Sequence, residues 1–234
     1  MFKNYLKMAF RNIQKYKGYS IINITGLTLG MTCCIFILLW VQHELSYDRF
    51  HEHADNLYRV IDYEKYSNGE ELTFSTNPPA LAAVLKDEYP EINKICRIIK
   101  PDGGVLRYQD KNFNEGRIFC SDPAFFDMFS FPFVKGEKET VLKDPSSIAI
   151  SEKIALKYFG TEYPVGKTLQ LNNKNDFLVT GVFKDIPGNS HLQFDFVLPF
   201  EAAKLLGDQT EGWNSYAYTY YLQLEEKTDV GLFN

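Results

Sequence analysis

The chain has 234 residues, of which 45% are hydrophobic and 15% aromatic, so it can build one or two domains around a sizeable core. Its 15 glycines and 10 prolines are an ordinary content, and no repeat of about 20 to 50 residues occurs, which excludes collagen-like, low-complexity and solenoid architectures. A net charge of −5 with a pI near 5.5 argues against nucleic acid as the main partner.

Charge divides the chain into three zones. Residues 1–20 hold five bases and no acid, residues 21–41 hold no charge, and the remainder holds 20 bases against 30 acids. The uncharged run would extend about 31 Å as a helix, close to the thickness of the bilayer hydrocarbon, and it predicts a transmembrane helix over 21–41.

Two alternatives to a transmembrane helix fit this run less well. A cleaved signal peptide has a shorter apolar region that ends at small residues, whereas this run ends at Trp40 and Val41. A buried helix of a soluble core seldom avoids charge for so long.

The leading bases predict the orientation of this span. The positive-inside rule places residues 1–20 in the cytoplasm and residues 42–234 outside, in a periplasm-like space. Residues 2–16 also have a helical period, with an apolar face opposite a basic one. The basic face consists of Lys3, Lys7, Arg11 and Lys15. We expect an amphipathic helix on the cytoplasmic leaflet, with these side chains at anionic head groups; the alternative is a basic leader that only orients the span.

Two glycines in the span form a pattern that allows close helix packing. Gly26 and Gly30 make a GxxxG motif, which would let the backbone of another helix approach. Because glycine is common in membrane helices, the motif alone is weak. A single span cannot form a pore, so any transport function requires further membrane helices.

The acidic remainder alternates between strand and helix patterns, which predicts an α+β fold. Helical spacing over 46–57 is followed by an alternating strand over 58–66, a helix capped by Asn77, and a strand over 92–100. This β-α-β unit ends at a turn cluster, 101–104, which we interpret as a subdomain boundary. Further strands are expected over 105–109, 113–120, 146–150, 167–171, 177–183, 193–198 and 216–224, with helices over 122–129 and 151–160.

No segment has the pattern of a nucleotide site or an active site. The run from Gly160 to Thr168 resembles a P-loop, but five residues separate its glycines where the motif needs four, and 168–171 alternates as a strand where a helix is required. Ser190 and His191 lack the surroundings of a catalytic serine, and adjacent residues on a strand point to opposite faces. We therefore expect no catalytic residue and no cofactor.

Histidines and cysteines leave two minor alternatives open. His51 and Asp55 lie four apart and could share a helix face that holds a metal, but solvated surface is the expected state and no metal site is predicted. Cys96 and Cys120 would lie in an oxidising compartment and could pair as a disulfide, although their spacing alone cannot decide it. Cys33 and Cys34 are apolar residues of the span.

Four stretches together resemble the extracytoplasmic domain of MacB/FtsX-like ABC transporter permeases. They are ELSYDRFH at 44–51, DPAFFDMFSF at 122–131, ISEKIALKYFG at 150–160 with PVGKT at 164–168, and VTGVFKDIPGNSH at 179–191. Each is weak alone, but their order after a basic leader and one span is typical of that family. We call them the four family stretches.

The resemblance implies a permease subunit of the bacterial inner membrane that performs no chemistry itself. It implies a periplasmic domain over 42–234, with a porter-like part (42–100 and about 210–228) and an inserted, mostly β part (about 101–209). Expected partners are a cytoplasmic ABC ATPase, membrane helices of the same permease or of a second copy in a dimer, and an extracytoplasmic protein. Later spans of such permeases are missing here, so we expect a fragment of a longer chain. The alternatives are a membrane-anchored sensor or binding module and, third, an anchored hydrolase.

Overall fold

Two helices make up the first part of the chain. In the computed structural model, which describes residues 2–226 and 228–232, contacts divide the protein into the units Met1–Tyr47 and Asp48–Asn234. The first unit contains α1 (Phe2–Lys15) and α2 (Lys17–Leu45), separated at Tyr16, whose backbone leaves helical geometry at φ −116° and ψ 54°. The end of the predicted periplasmic domain includes Lys227, Phe233 and Asn234, which lie outside the described residues.

Helix α2 has the length and composition of a membrane span. It is 29 residues long and none of its residues is buried within the protein, so its apolar side chains are free to face lipid. Its threonine hydroxyls are satisfied locally: Thr25 donates to the carbonyl of Ile21 at 2.7 Å and Thr32 to that of Thr28 at 2.8 Å. Such internal pairing suits a helix in a medium without water.

The second unit is built on strands with short helices between them. Its helices are α3 (Leu81–Glu88), α4 (Phe125–Met128), α5 (Glu152–Phe159) and α6 (Ala202–Leu205), with 3₁₀ turns at Ala54–Asn56 and Val230–Leu232. Its strands are β1 (Leu57–Arg59), β2 (Asp62–Lys65), β3 (Glu71–Phe74), β4 (Ile92–Ile99), β5 (Gly104–Tyr108), β6 (Lys111–Glu115), β7 (Ile118–Ser121), β8 (Phe133–Lys135), β9 (Ser147–Ser151), β10 (Thr168–Leu171), β11 (Asn175–Phe183), β12 (Phe196–Pro199) and β13 (Thr219–Leu224). The predicted α+β class is confirmed.

One mixed sheet dominates the described part of this unit. Eleven strands join in the order β1-β13-β4-β7-β12-β9-β11-β10-β5-β6, with β8 paired to β11, while β2 and β3 form a separate hairpin. The pairs β9/β11 and β7/β12 are parallel. Strands from both sides of residue 101 share this sheet. The division into a porter-like part and an inserted part at 101–209 remains a prediction.

Each face of the sheet carries its own apolar core. Consecutive residues of central strands alternate between the two, as Phe196 and Val197 do on β12. One core packs under α3, α5 and α6. The other, which we call the aromatic core, contains seven phenylalanines under and around α4: Phe119, Phe125, Phe126, Phe129, Phe131, Phe183 and Phe194.

Cys96 and Cys120 are both buried and free, so the disulfide considered from the sequence does not form. The pairing of β4 with β7 sets Ile99 opposite Cys120 and Ile98 opposite Ser121. Cys96 therefore shares the face of Ile98, in the aromatic core, and Cys120 faces the other core. Side chains on opposite faces of a sheet cannot bring their sulfurs to bonding distance.

Several predicted elements are divided or displaced. The predicted strand 58–66 is two strands in different sheets, and 113–120 is broken near Gly116 because β6 pairs with β5 while β7 pairs with β4 and β12. Residues 46–53 form turns and a bend, Ala54–Asn56 form a 3₁₀ turn and Leu57 begins β1, so the predicted helical segment is not a continuous helix. Asn77 does not cap a helix: α3 starts at Leu81, and the Asn77 side chain donates to the Val60 carbonyl.

Candidate functional site

Asp48, the first residue of the second unit, is held to a loop 142 positions away. Its backbone has a positive φ of 55°, a conformation that aspartate tolerates better than most residues, and its N–H donates to the Asn189 carbonyl at 2.9 Å. Its carboxylate accepts hydrogen bonds from Ser190 Oγ at 2.9 Å and from the His191 N–H at 3.1 Å. Both the backbone and the side chain of Asp48 are therefore fixed by residues 189–191.

A histidine and a tyrosine extend this contact into the sheet. His191 Nδ1 lies 2.6 Å from Asp48 Oδ2, so Nδ1 carries a proton, and Nε2 accepts from the Tyr221 hydroxyl at 2.6 Å. Tyr221 lies on β13, and burial raises the pKa of its hydroxyl, which keeps it a donor. We call Asp48, Ser190, His191 and Tyr221 the Asp48 anchor.

His51 lies beside the anchor, inside the aromatic core. Its Nδ1 accepts from the Ser130 N–H at 3.1 Å, and its ring packs at 5.3 Å from Phe129 and 5.1 Å from Phe131, between centroids. Its side chain is only 2% exposed. The expectation that His51 lies on a solvated helix face with Asp55 is wrong. The segment folds as turns, and the His51 ring packs against phenylalanine rings instead of facing solvent.

One nitrogen of His51 has no hydrogen-bond partner. Because Nδ1 accepts, the neutral ring carries its proton on Nε2, and Asp48 Oδ1 at 3.9 Å is too far to accept it. Desolvation lowers the pKa of His51; the nearby Asp48 charge opposes this effect and His191 adds to it. The ring is therefore held in its neutral form.

We predict that protein stability falls on acidification through His51. The unfolded chain takes up a proton on this histidine near pH 6.5, while the folded chain resists protonation until a lower pH. The free energy of unfolding should therefore decrease as pH falls below about 6.5, by at most about 1.4 kcal/mol per pH unit. Urea unfolding between pH 7.5 and 5 measures the slope. His51→Gln should reduce it and the exposed His53→Gln should not; equal slopes in both variants would contradict the prediction.

Three of the four family stretches meet at this place. Asp48 and His51 come from the first, Phe129 and Ser130 from the second, and His191 from the last. Sequence patterns point to His51, Ser190 and His191 but not to Asp48 or Tyr221. The signal for Asp48 is its position within the first stretch, which begins at Glu44, shortly after the apolar run ends at Val41.

The hydrogen bonds of the Asp48 anchor differ from those of a catalytic serine and its histidine base. Ser190 Oγ donates to the carboxylate of Asp48 and not to a ring nitrogen of His191, so the histidine does not activate the serine. No group of three or more potential metal ligands occurs among residues 2–226 and 228–232. What this geometry can do is hold two distant segments together by charge-assisted hydrogen bonds.

The P-loop-like segment serves as a turn between α5 and β10. The Gly166 N–H donates to the Val179 carbonyl, and the Val179 N–H donates to the Lys167 carbonyl, both at 2.8 Å. Lys167 Nζ pairs with Glu162 at 3.3 Å. The strand predicted after the loop is confirmed as β10, so the amides that would cradle a phosphate are part of the sheet instead.

The residues predicted to act in the membrane all lie on the first two helices. Lys3, Lys7, Arg11 and Lys15 recur every fourth position along α1 and are exposed. On α2, a Cβ placed on Gly26 or Gly30 would meet no atom within 4 Å, so this side of the helix is open. The roles predicted for these residues remain predictions.

Comparisons with known proteins agree with this architecture. A family model described as MacB-like periplasmic core domain matches residues 20–233. A domain of a protein assigned as a permease in Porphyromonas gingivalis is 25% identical, with a TM-score of 0.68 and coverage of 79% of both chains. No curated protein sequence gives a significant match.

Two more distant solved structures share the fold. One is the periplasmic region of MacB from Actinobacillus actinomycetemcomitans, at 17% identity and a TM-score of 0.54, covering 76% of this chain and 78% of that one. The other is the extracellular domain of the ABC-type transporter YknZ from Gram-positive bacteria, at 15% identity and a TM-score of 0.53, covering 76% and 88%.

Proposed function

Because this chain belongs to the family of MacB-like periplasmic core domains, we propose that it is a membrane subunit of an ABC transporter of the MacB/FtsX type. In this proposal a partner ATPase hydrolyses ATP in the cytoplasm, and motion of the membrane segment is passed to the ectodomain, which acts on a substrate or protein outside. Residues 1–20 are cytoplasmic, α2 crosses the bacterial inner membrane, and residues 42–234 are periplasmic. The family is a transporter component and not a classical enzyme.

The Asp48 anchor is the observation that carries the proposal of mechanical coupling. Only Ser46 and Tyr47 separate the end of α2 at Leu45 from Asp48. The Ser46 and Tyr47 N–H groups still donate to carbonyls of the last turn of α2, at 3.1 and 3.3 Å. The proposal therefore requires that displacement of the helix is passed through this short connection to Asp48, which residues 189–191 hold by both its backbone and its side chain.

Copurification tests the assignment to a transporter. The protein is tagged in its native host, extracted from membranes in mild detergent and purified with its partners. We expect a cytoplasmic ABC ATPase in the eluate, and its ATP hydrolysis should depend on the tagged protein. Recovery of a signalling protein such as a kinase, with no ATPase, would instead support the membrane-anchored sensor.

The orientation is tested by a reagent that reacts with thiols but does not cross membranes. Lys174 is an exposed residue of the β10–β11 turn, and unlike its neighbours Asn172 and Asn173 it does not have a positive φ. In a background without Cys33, Cys34, Cys96 and Cys120, Lys174→Cys should react in intact spheroplasts, whereas Lys7→Cys should react only after lysis. The reverse pattern would overturn the proposed topology.

We further predict that Gly26→Leu weakens association of α2 with another membrane helix. Helices in lipid attract mainly through close van der Waals packing, and a leucine on the open side of α2 would hold the partner away. Detergent-resistant assembly should fall while the circular dichroism of the ectodomain stays unchanged. An equal loss from Leu39→Ala, which leaves both glycines intact, would show that Gly26 has no special role.

A further inference from the structure

A cavity of about 150 Å³ lies on the aromatic side of the sheet, over the neighbouring strands β1, β13 and β4. Arg59 on β1 is opposite Tyr221 on β13, and Thr219 on β13 is opposite Ile98 on β4. Lys100 follows the end of β4, two residues after Ile98. Because alternate residues of a strand share a face, Arg59 and Lys100 flank the cavity from the two sides of β13.

Neither cation at this cavity forms an ion pair with an acid of the described residues. Arg59 donates from Nη2 to the Ser75 carbonyl at 3.1 Å, and Lys100 Nζ lies 5.1 Å from the centre of the Phe119 ring. Burial raises the pKa of the Tyr221 hydroxyl, and the Arg59 charge opposes this rise, so that charge acts at the cavity wall. Two neighbouring cations without acids are unexpected in an acidic ectodomain, and they create a positive potential that attracts an anion.

The cavity also offers hydrogen-bond donors to an anion. The hydroxyl of Thr219, which is half-buried, makes no hydrogen bond with residues 2–226 or 228–232. The guanidinium of Arg59 retains N–H groups besides the one that donates to Ser75, and the ammonium of Lys100 has three. The oxygens of a carboxylate or a phosphate group can accept from all three side chains, and such charge-assisted hydrogen bonds are the strong ones.

A second cavity, of about 280 Å³, adjoins the first. Three residues line both cavities: Arg59, His191 and Tyr221. The larger cavity is also lined by the apolar side chains of Ala54, Leu57 and Phe129, and an apolar cavity of about 150 Å³ is already enough to hold benzene. Asp48 lines only the larger cavity, so its negative charge favours an anionic group in the smaller one and an uncharged body beside the anchor.

We propose that the two cavities together bind a small anion in which a carboxylate or phosphate group is attached to a short apolar chain. The anionic oxygens accept from Arg59, Lys100 and Thr219 in the smaller cavity. The chain packs against Leu57 and Phe129 in the larger one. The site is independent of the proposed transporter function, because it rests on residues of the second unit alone.

Histidine NMR provides a local test, because His191 lines both cavities and the protein has only four histidines. The full chain is labelled at the histidine Cε1 carbons, placed in lipid nanodiscs and titrated with hexanoate or with hexyl phosphate at constant pH and ionic strength. The His191 signal should shift and saturate with at least one of them, and the tighter ligand identifies the anionic group. The signal of the exposed His53, which lines neither cavity, should stay still.

Two further ligands and three variants decide between the outcomes. At equal free aqueous concentration, 1-hexanol, which lacks the charge, and acetate, which lacks the chain, should bind at least about tenfold more weakly. Arg59→Gln and Lys100→Gln change exposed side chains, so the fold should persist, and each should weaken binding of the anion by about tenfold. Lys174→Gln, which removes an exposed charge elsewhere, should leave the affinity unchanged. Equal binding of 1-hexanol, unchanged affinity in Arg59→Gln or Lys100→Gln, or no His191 shift with either anion in a folded protein would overturn the proposal.

Discussion

Replacing Asp122 by alanine is expected to lower the free energy of unfolding by about 3–5 kcal/mol. Asp122 Oδ2 accepts from the Arg97 backbone N–H at 2.9 Å and from Nε at 2.8 Å, and Oδ1 accepts from Nη2 at 2.7 Å. The two side chains are 22% and 16% exposed, and the guanidinium carbon lies 3.6 Å from the centre of the Phe200 ring. Without the carboxylate, a largely buried positive charge would lose its counterion and two side-chain hydrogen bonds.

A second acid in the same family stretch provides the matched control for Asp122. Asp127 lies 3.7 Å from Lys94 Nζ, and both side chains are more than a third exposed, at 41% and 37%. Exposed pairs contribute little because water screens them, so Asp127→Ala should cost less than about 1 kcal/mol. Urea unfolding of the full chain in detergent, followed by circular dichroism, compares the two variants. If Asp122→Ala costs no more than Asp127→Ala, the ion pair does not stabilise the fold.

Features that depend on nearby residues could be predicted from the sequence. The span follows from a continuous uncharged run, and β10 follows from the alternation of Thr168 to Leu171, which also excluded the P-loop. Helix α5 ends as expected at Gly160, whose φ of 61° suits a residue without a side chain. In each case a local pattern decides the conformation, so the fold class could be deduced without tertiary contacts.

The site could not be predicted because its contacts join distant segments. Asp48 and His191 are 143 positions apart, and no local period links them. His51 has a local partner at the right spacing, Asp55, and this misled the sequence interpretation: tertiary packing placed its ring among phenylalanines instead. The cysteines illustrate the same limit, since only the register of β4 with β7 reveals that they face opposite cores.

The Asp48 anchor itself should be required for coupling more than for folding. Asp48→Gly is the sharper variant, because glycine adopts the positive φ of 55° that alanine would strain, so the carboxylate is lost without backbone strain. It removes a charged acceptor for Ser190 and His191, which should cost about 3 kcal/mol and reduce the protection of residues 48–54 and 188–192 from amide exchange. The sheet, with its two separate cores, should remain folded.

With the anchor released, ATP hydrolysis by the partner and motion of the ectodomain should become separable. In Asp48→Gly we expect the ATPase rate of the purified complex to stay within about twofold of the unmodified protein. The ATP-dependent change in labelling at Lys174→Cys should fall by about tenfold or more, which corresponds to the loss of a coupling free energy of roughly 1–3 kcal/mol.

Asp48→Asn keeps one acceptor oxygen, and its loss of coupling should be intermediate. Asp55→Gly is the matched control, since Asp55 is exposed and no described hydrogen bond reaches its carboxylate. Equal loss in Asp55→Gly, or full coupling in Asp48→Gly, would mean that displacement of α2 reaches the sheet by another route.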